Sequence, residues 1–136
     1  MRTRVDVPVV VSGFDHLALT VASADEAVAF YTDALGMRAS KLGEGEWAVS
    51  FGEKKIWLLE EEHGQVPRAS RRVPGSAELC LITPAPLESV VGHLVASGVK
   101  IEAGPTRRLG ANGPVTSVCV RDPDGNLVQI ASYDSL

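Results

Sequence analysis

The sequence predicts an α+β domain in which two copies of a β-α-β-β-β module form a curved mixed sheet around a cavity. Three observations lead there. One order of elements, a strand, a helix and three short strands, is legible twice. Two helix-stopping glycines, Gly36 and Gly98, lie 62 positions apart, the interval that also separates His16 from Glu78 in the two opening strands. A repeat of this length in two copies marks a duplicated supersecondary unit, not a solenoid. Finally, 136 residues with 45% hydrophobic content suit a single domain with a real core. The expected domain is the whole of residues 1–136, with a first module at 14–60, a second at 76–133 and a linker at 61–75.

The first strand is read at Phe14 to Val21. Leu17, Leu19 and Val21 alternate with His16, Ala18 and Thr20, so one face is apolar and the other carries His16. Ser23 and Glu26 form a capping box, and Ala27, Val28, Tyr31, Ala34 and Leu35 recur at helical spacing up to Gly36. Strands follow at Arg38 to Leu42, Trp47 to Phe51 and Lys55 to Glu60, separated by glycine-containing turns. In the second half, Ser76 to Thr83 reads as a strand. Pro84 to Ser97 reads as a helix burying Leu87, Val90, Val91, Leu94 and Val95, with Pro86 tolerated in its first turn. Val99 to Glu102, Val115 to Arg121 and Leu127 to Ser132 complete the pattern, the last two joined by the Asp122–Asn126 turn. Trp57 and Gln129, in the closing strands of the two halves, are 72 apart. The second half therefore carries about ten extra residues, assigned to a loop from Gly104 to Gly113.

Composition narrows the function classes. The formal net charge is −4, and the basic residues fall in short clusters, Arg68 to Arg72 and Arg107–Arg108. A nucleic-acid partner is not expected, because phosphate neutralisation needs a basic face. No apolar run reaches the roughly 18 residues of a membrane span, so no membrane partner is expected either. The apolar stretch Val7 to Val11 is broken by Pro8 and is too short for a signal sequence, which makes the cytoplasm the expected location. Cys80 and Cys119 form no Cys-x-x-Cys pair, which excludes a zinc ribbon or a thioredoxin motif. Both read as buried free thiols.

The opening "DHLALTV", its helix "ADEAVAFYTDALGM" and the closing "VRDPDGNLVQI" resemble the vicinal-oxygen-chelate superfamily. That group holds glyoxalase I, extradiol dioxygenases, fosfomycin-resistance enzymes and bleomycin-resistance proteins. Through "VPGSAELCLIT" and "GPVTSVCVRDPDGNLVQI" the chain is most similar to the glyoxalase-like virulence-protein branch. The resemblance runs from Phe14 to Tyr133. In metal-using members four ligands come from four strands, and by position these fall on His16, Trp57, Glu78 and Gln129. The resemblance thus implies a divalent ion (Zn, Ni, Fe or Mn) held by His16, Glu78 and Gln129. Trp57 cannot ligate, and Gln129 stands where the family usually has Glu.

Such an ion would act as a Lewis acid on a substrate chelating through two vicinal oxygens. Glu78, a carboxylate within an apolar strand, is costly to bury unless paired or metal-bound and is the candidate catalytic base. Without a metal, a neutral His16 hydrogen-bonded to Glu78 is the plain reading. Trp57, Leu59, Cys80 and Arg107 are the expected pocket residues, with the indole offering a stacking surface. Two functions follow. One is a metal-dependent lyase or dioxygenase acting on a small molecule. The other is metal-free binding of a small aromatic or drug-like molecule, as in bleomycin-resistance proteins. A homodimer is implied by resemblance, and whether the modules pair within or between chains stays open.

Overall fold

A computed structural model describes residues 8–133. The start of the Val7–Val11 stretch and the end of the predicted domain lie outside the described residues. The eight strands are β1 (His16–Val21), β2 (Arg38–Gly43), β3 (Glu46–Phe51), β4 (Lys54–Glu60), β5 (Glu78–Ile82), β6 (Ala103–Gly110), β7 (Gly113–Arg121) and β8 (Leu127–Tyr133). The helices are α1 (Ala24–Ala29), which runs on into a π turn at Phe30–Ala34, and α2 (Leu87–Ala96). The strands form two four-stranded mixed sheets, ordered β1-β4-β3-β2 (sheet A) and β5-β8-β7-β6 (sheet B). In each, the opening strand runs parallel to the last strand of its module, and the remaining pairs are antiparallel. The predicted duplication is therefore present as two separate sheets, and neither closes into a barrel.

Alternation along the strands gives each sheet one face covered by helices and one bare of helices, on which Ala48, Leu59, Ser117 and Cys119 are still buried. Leu19, Val21, Val49, Ile56 and Leu58 pack with Ala24, Ala27 and Tyr31 in the first core. Val118, Val120, Val128 and Ile130 pack with Leu94 and with Ala34 of the π turn in the second. Leu79 and Leu81 of sheet B pack against the first core, while Phe30 and Leu35 of the first module pack against the second. The helix-bearing faces thus share one apolar interior. The faces carrying His16 and Gln129 are both turned away from it.

The capping box appears as its serine half: Ser23 Oγ accepts from the Glu26 N–H at 3.2 Å. The predicted single helix is not uniform, since it widens into the π turn after Ala29. The wider turn directs Tyr31 into the first core and Ala34 into the second. Helix α2 starts at Leu87, three residues later than expected, with Pro86 as its N-cap. Val95 does not belong to its buried stripe and is 62% exposed. It stands about 100° round the helix from Leu94.

The predicted strand Val99 to Glu102 is irregular, and the predicted loop Gly104–Gly113 is mostly strand β6, joined to β7 by a tight turn. The extra residues of the second half thus extend a strand, although Pro105 within it cannot donate to a ladder. A bulge between Ala103 and Thr106 absorbs it. At the bulge Gly104 has φ +95°, and a Cβ there would lie 2.4 Å from the Ser117 carbonyl oxygen. Only glycine permits that approach.

The modules are also joined by a buried polar junction. The Tyr31 hydroxyl, from the π turn, donates to Asp122 Oδ2 at 2.8 Å. Asp122 accepts in addition from the Asp124 and Asn126 backbone N–H groups and from Asn126 Nδ2. Burial and the Asp122 carboxylate push the tyrosine hydroxyl far up, so it stays protonated and donating.

Candidate ligand-binding site

Strand register arranges the bare face of sheet A in rows. One row holds Arg38, Ser50, Lys55 and His16; the next holds Ser40, Ala48, Trp57 and Ala18; the third holds Glu46, Leu59 and Thr20. His16 and Trp57 are stacked, with ring centroids 3.8 Å apart and planes 9° from parallel. His16 Nδ1 lies 2.9 Å from Asp15 Oδ2. With the proton on Nδ1, Nε2 keeps its lone pair. The same hydrogen bond, and then the imidazole's charge when protonated, hold the Asp15 carboxyl below its usual range. The expected His16–Glu78 hydrogen bond is not found; Asp15 takes that place because it adjoins His16 on the chain.

Sheet B has its own row. Cys80, Gln129 and Cys119 stand side by side across β5, β8 and β7, with Glu78, Leu127 and Arg121 in the adjacent row. Ser117 Oγ donates to Gln129 Oε1 at 3.3 Å. Glu78 is exposed, so the buried carboxylate expected from its apolar strand is not present in the single chain. Arg121 forms a two-pronged pair with Glu102, at 3.0 and 2.9 Å, and donates to the Gly125 carbonyl, bracing the β7–β8 turn. Of the two thiols only Cys119 is buried; Cys80 is exposed. Partial burial, with Cys119 as a smaller cause, pushes the Cys80 thiol up, which keeps it a poor nucleophile. Arg107 pairs with Thr116, on the helix-bearing side, whereas Arg108 pairs with Val115 on the face of Gln129. The correction follows from strand alternation, which a loop reading of this segment does not supply.

His16 and Trp57 therefore share one bare face, and Glu78, Cys80 and Gln129 share another. Among the described residues, no three His, Cys, Asp or Glu side chains gather in a way that could hold a metal ion. A donor set of one imidazole, one exposed carboxylate and one amide already accepting from Ser117, divided between two faces, does not fit a metal within one chain. A cleft of about 380 Å³ opens where the modules meet, lined by Met37, Phe51, Leu81, Ile82, Val90 and Ile130 among others. None of the family-position residues lines it.

The segment 61–75 is not a passive connector. The His63 ring packs against Gly45 of the β2–β3 turn, and Arg68 lies over Gly64 beside Leu59. Arg68 Nη2 donates to Thr20 Oγ1 at 3.2 Å, and Nη1 donates to the His63 carbonyl. Its basic composition was visible in the sequence, but its return onto sheet A was not.

Two βαβββ modules, each closed by a four-stranded mixed sheet, define a fold class whose chemistry varies with the residues on its sheet faces. The chain belongs to the Glyoxalase/Bleomycin resistance protein/Dioxygenase superfamily, whose model matches residues 13–130. It is 40% identical over 127 residues to virulence protein STM3117 of Salmonella typhimurium, covering 93% of this chain and 88% of that protein. The crystal structure of that protein superposes with a TM-score of 0.88 over 93% of this chain and all of the other. The glyoxalase domain-containing protein RDO1 of Mycosarcoma maydis is 38% identical over 123 residues, 90% of this chain and 69% of that one. At 19% identity the fold alone is shared with TnmS3, an antibiotic binding protein from Streptomyces, with a TM-score of 0.73 over 93% of this chain and 99% of that one. No helix of the described residues is long and apolar enough to cross a membrane.

Proposed function

We propose that the chain binds a planar small molecule on the bare face of sheet A, in a cavity completed by the bare face of sheet B from a second copy. The single observation that carries the reading is the His16–Trp57 stack. An indole held upright by an imidazole offers its other face to a flat ligand. Stacking of this kind contributes about 0.5–1.5 kcal/mol beyond area burial. Ala48 and Leu59 flank it on the same face but are buried, so the surface offered to a ligand is the indole itself. The homodimer is part of the proposal, because helix-bearing faces buried within one chain leave both site faces open to a partner copy. Binding of an antibiotic by the fold-related TnmS3 is consistent with the reading.

Titration of the full chain with planar aromatic compounds, followed by tryptophan fluorescence, tests it. Quenching in the wild type and its loss in Trp57→Leu is the expected outcome, and Trp47, on the opposite face of sheet A, supplies the residual signal. Quenching that survives in Trp57→Leu refutes the reading. Light scattering on a sizing column should return twice the chain mass.

A second reading, metal-assisted lyase or dioxygenase chemistry, keeps support from one observation. Glu78 is exposed on the face of Gln129, and His16 retains a free Nε2, so two copies present an imidazole, a carboxylate and an amide. Elemental analysis of protein purified without chelators decides it: one zinc, nickel, iron or manganese per site, lost in His16→Ala, is required.

A further inference from the structure

We infer that Arg68 is the anion-recognising residue of this site, so that the ligand class is aromatic carboxylates. The inference rests on the reading of sheet A's bare face as the ligand face. Arg68 belongs to segment 61–75, outside every strand and helix, yet its guanidinium is fixed at two points. Thr20, a residue of the bare face, accepts from Nη2, and the His63 carbonyl accepts from Nη1. Gly64 makes this possible. Its φ is +95°, and a Cβ would lie 2.9 Å from Arg68 Nη1 and 3.3 Å from Leu59 Cδ1. The arginine is half-buried, and among the described residues no carboxylate pairs with it. A guanidinium has five N–H donors, so three remain for a further acceptor.

Its position relative to the stack carries the argument further. His16 sits one row before Trp57, at the Lys55 level, and therefore covers the side of the indole nearer that end. The Thr20–Leu59 row lies on the other side of Trp57, about 7 Å further along the strands. The indole side away from His16 thus looks toward Arg68, with Leu59 buried between them beneath Gly64. A flat ring against that side places an in-plane carboxylate at the guanidinium fork, the geometry in which arginine binds carboxylates with two parallel hydrogen bonds. The rest of the face favours negative charge too. It carries Arg38, Lys55 and Arg68 against two carboxylates, Glu46, which folds back toward Gly43, and Asp15, which is held on His16.

Isothermal titration of the full chain with naphthalene-2-carboxylate and with its uncharged carboxamide tests the inference. Wild-type protein should bind the carboxylate about tenfold more tightly than the amide, as expected for a charge-assisted pair. Arg68→Gln should abolish that preference while leaving amide affinity unchanged, Arg68→Lys should retain part of it, and Lys55→Gln should retain it. Circular dichroism melts establish that each variant is folded. A preference undiminished in Arg68→Gln, or one lost in Lys55→Gln instead, overturns the role of Arg68 and leaves the ligand face standing. Binding of both compounds unchanged in Trp57→Leu overturns the ligand face itself. Absence of binding of either compound to the wild type overturns both.

Discussion

Replacing Tyr31 by phenylalanine removes one hydroxyl from the junction between the modules. The ring keeps its place, since Tyr31 is fully buried in the first core and in edge contact with Phe30. Asp122 Oδ2 retains Asn126 Nδ2 but loses the 2.8 Å hydrogen bond from the tyrosine. Asp122 is 4% exposed, so water does not readily replace the lost donor. A hydrogen bond to a buried charged group contributes about 1.5–3 kcal/mol, which sets the expected loss. For a domain of this size that corresponds to a fall in Tm of about 5–10 °C. Urea unfolding followed by circular dichroism measures it directly, and an unchanged slope with a lower midpoint identifies a native-state effect. A midpoint equal to wild type would show that the Tyr31–Asp122 contact does not hold the modules together.

Other perturbations have equally definite outcomes. Burial, with Asp122 and Glu26 nearby, raises the Asp124 carboxyl above its usual 3.8, although the Ala22 N–H donor opposes this. A raised native pKa means that the folded state holds the proton more tightly. Stability therefore falls as pH rises from the unfolded value through the native one, and Asp124→Asn should flatten that segment of the stability–pH curve while keeping the Oδ1 acceptor. Gly104→Ala should cost about 1–3 kcal/mol from the left-handed backbone alone, and more from the clash with Ser117, read as a lowered urea midpoint. Arg121→Met, which removes the exposed pair with Glu102 and the bond to the Gly125 carbonyl, should lower the urea midpoint only slightly, with the difference shrinking further in high salt.

Most of the fold was written in local patterns. Alternation in "HLALTV" and "ELCLI", the serine cap at Ser23 and the stops at Gly36 and Gly98 each act within a few residues of chain, so each is legible without its neighbours. The internal interval of 62 carried the duplication for the same reason, as it compares two local patterns. Strand β6 was hidden because its ladder to β7 takes in Pro105 only through a bulge at which Gly104 lies against the Ser117 backbone, and no local alternation encodes that bulge.

For the candidate site, the family resemblance of the sequence named the side chains His16, Trp57, Glu78 and Gln129, but it could not say which of them meet. That depends on the direction each sheet face takes, which the shared core of Phe30, Leu35 and Leu81 sets by drawing the two helix-bearing faces together. The same packing turns the site faces outward and divides the expected ligand set. Arg68 joined the site only through tertiary structure, because its contact with Thr20 spans 48 positions of chain and no local periodicity encodes so distant a contact.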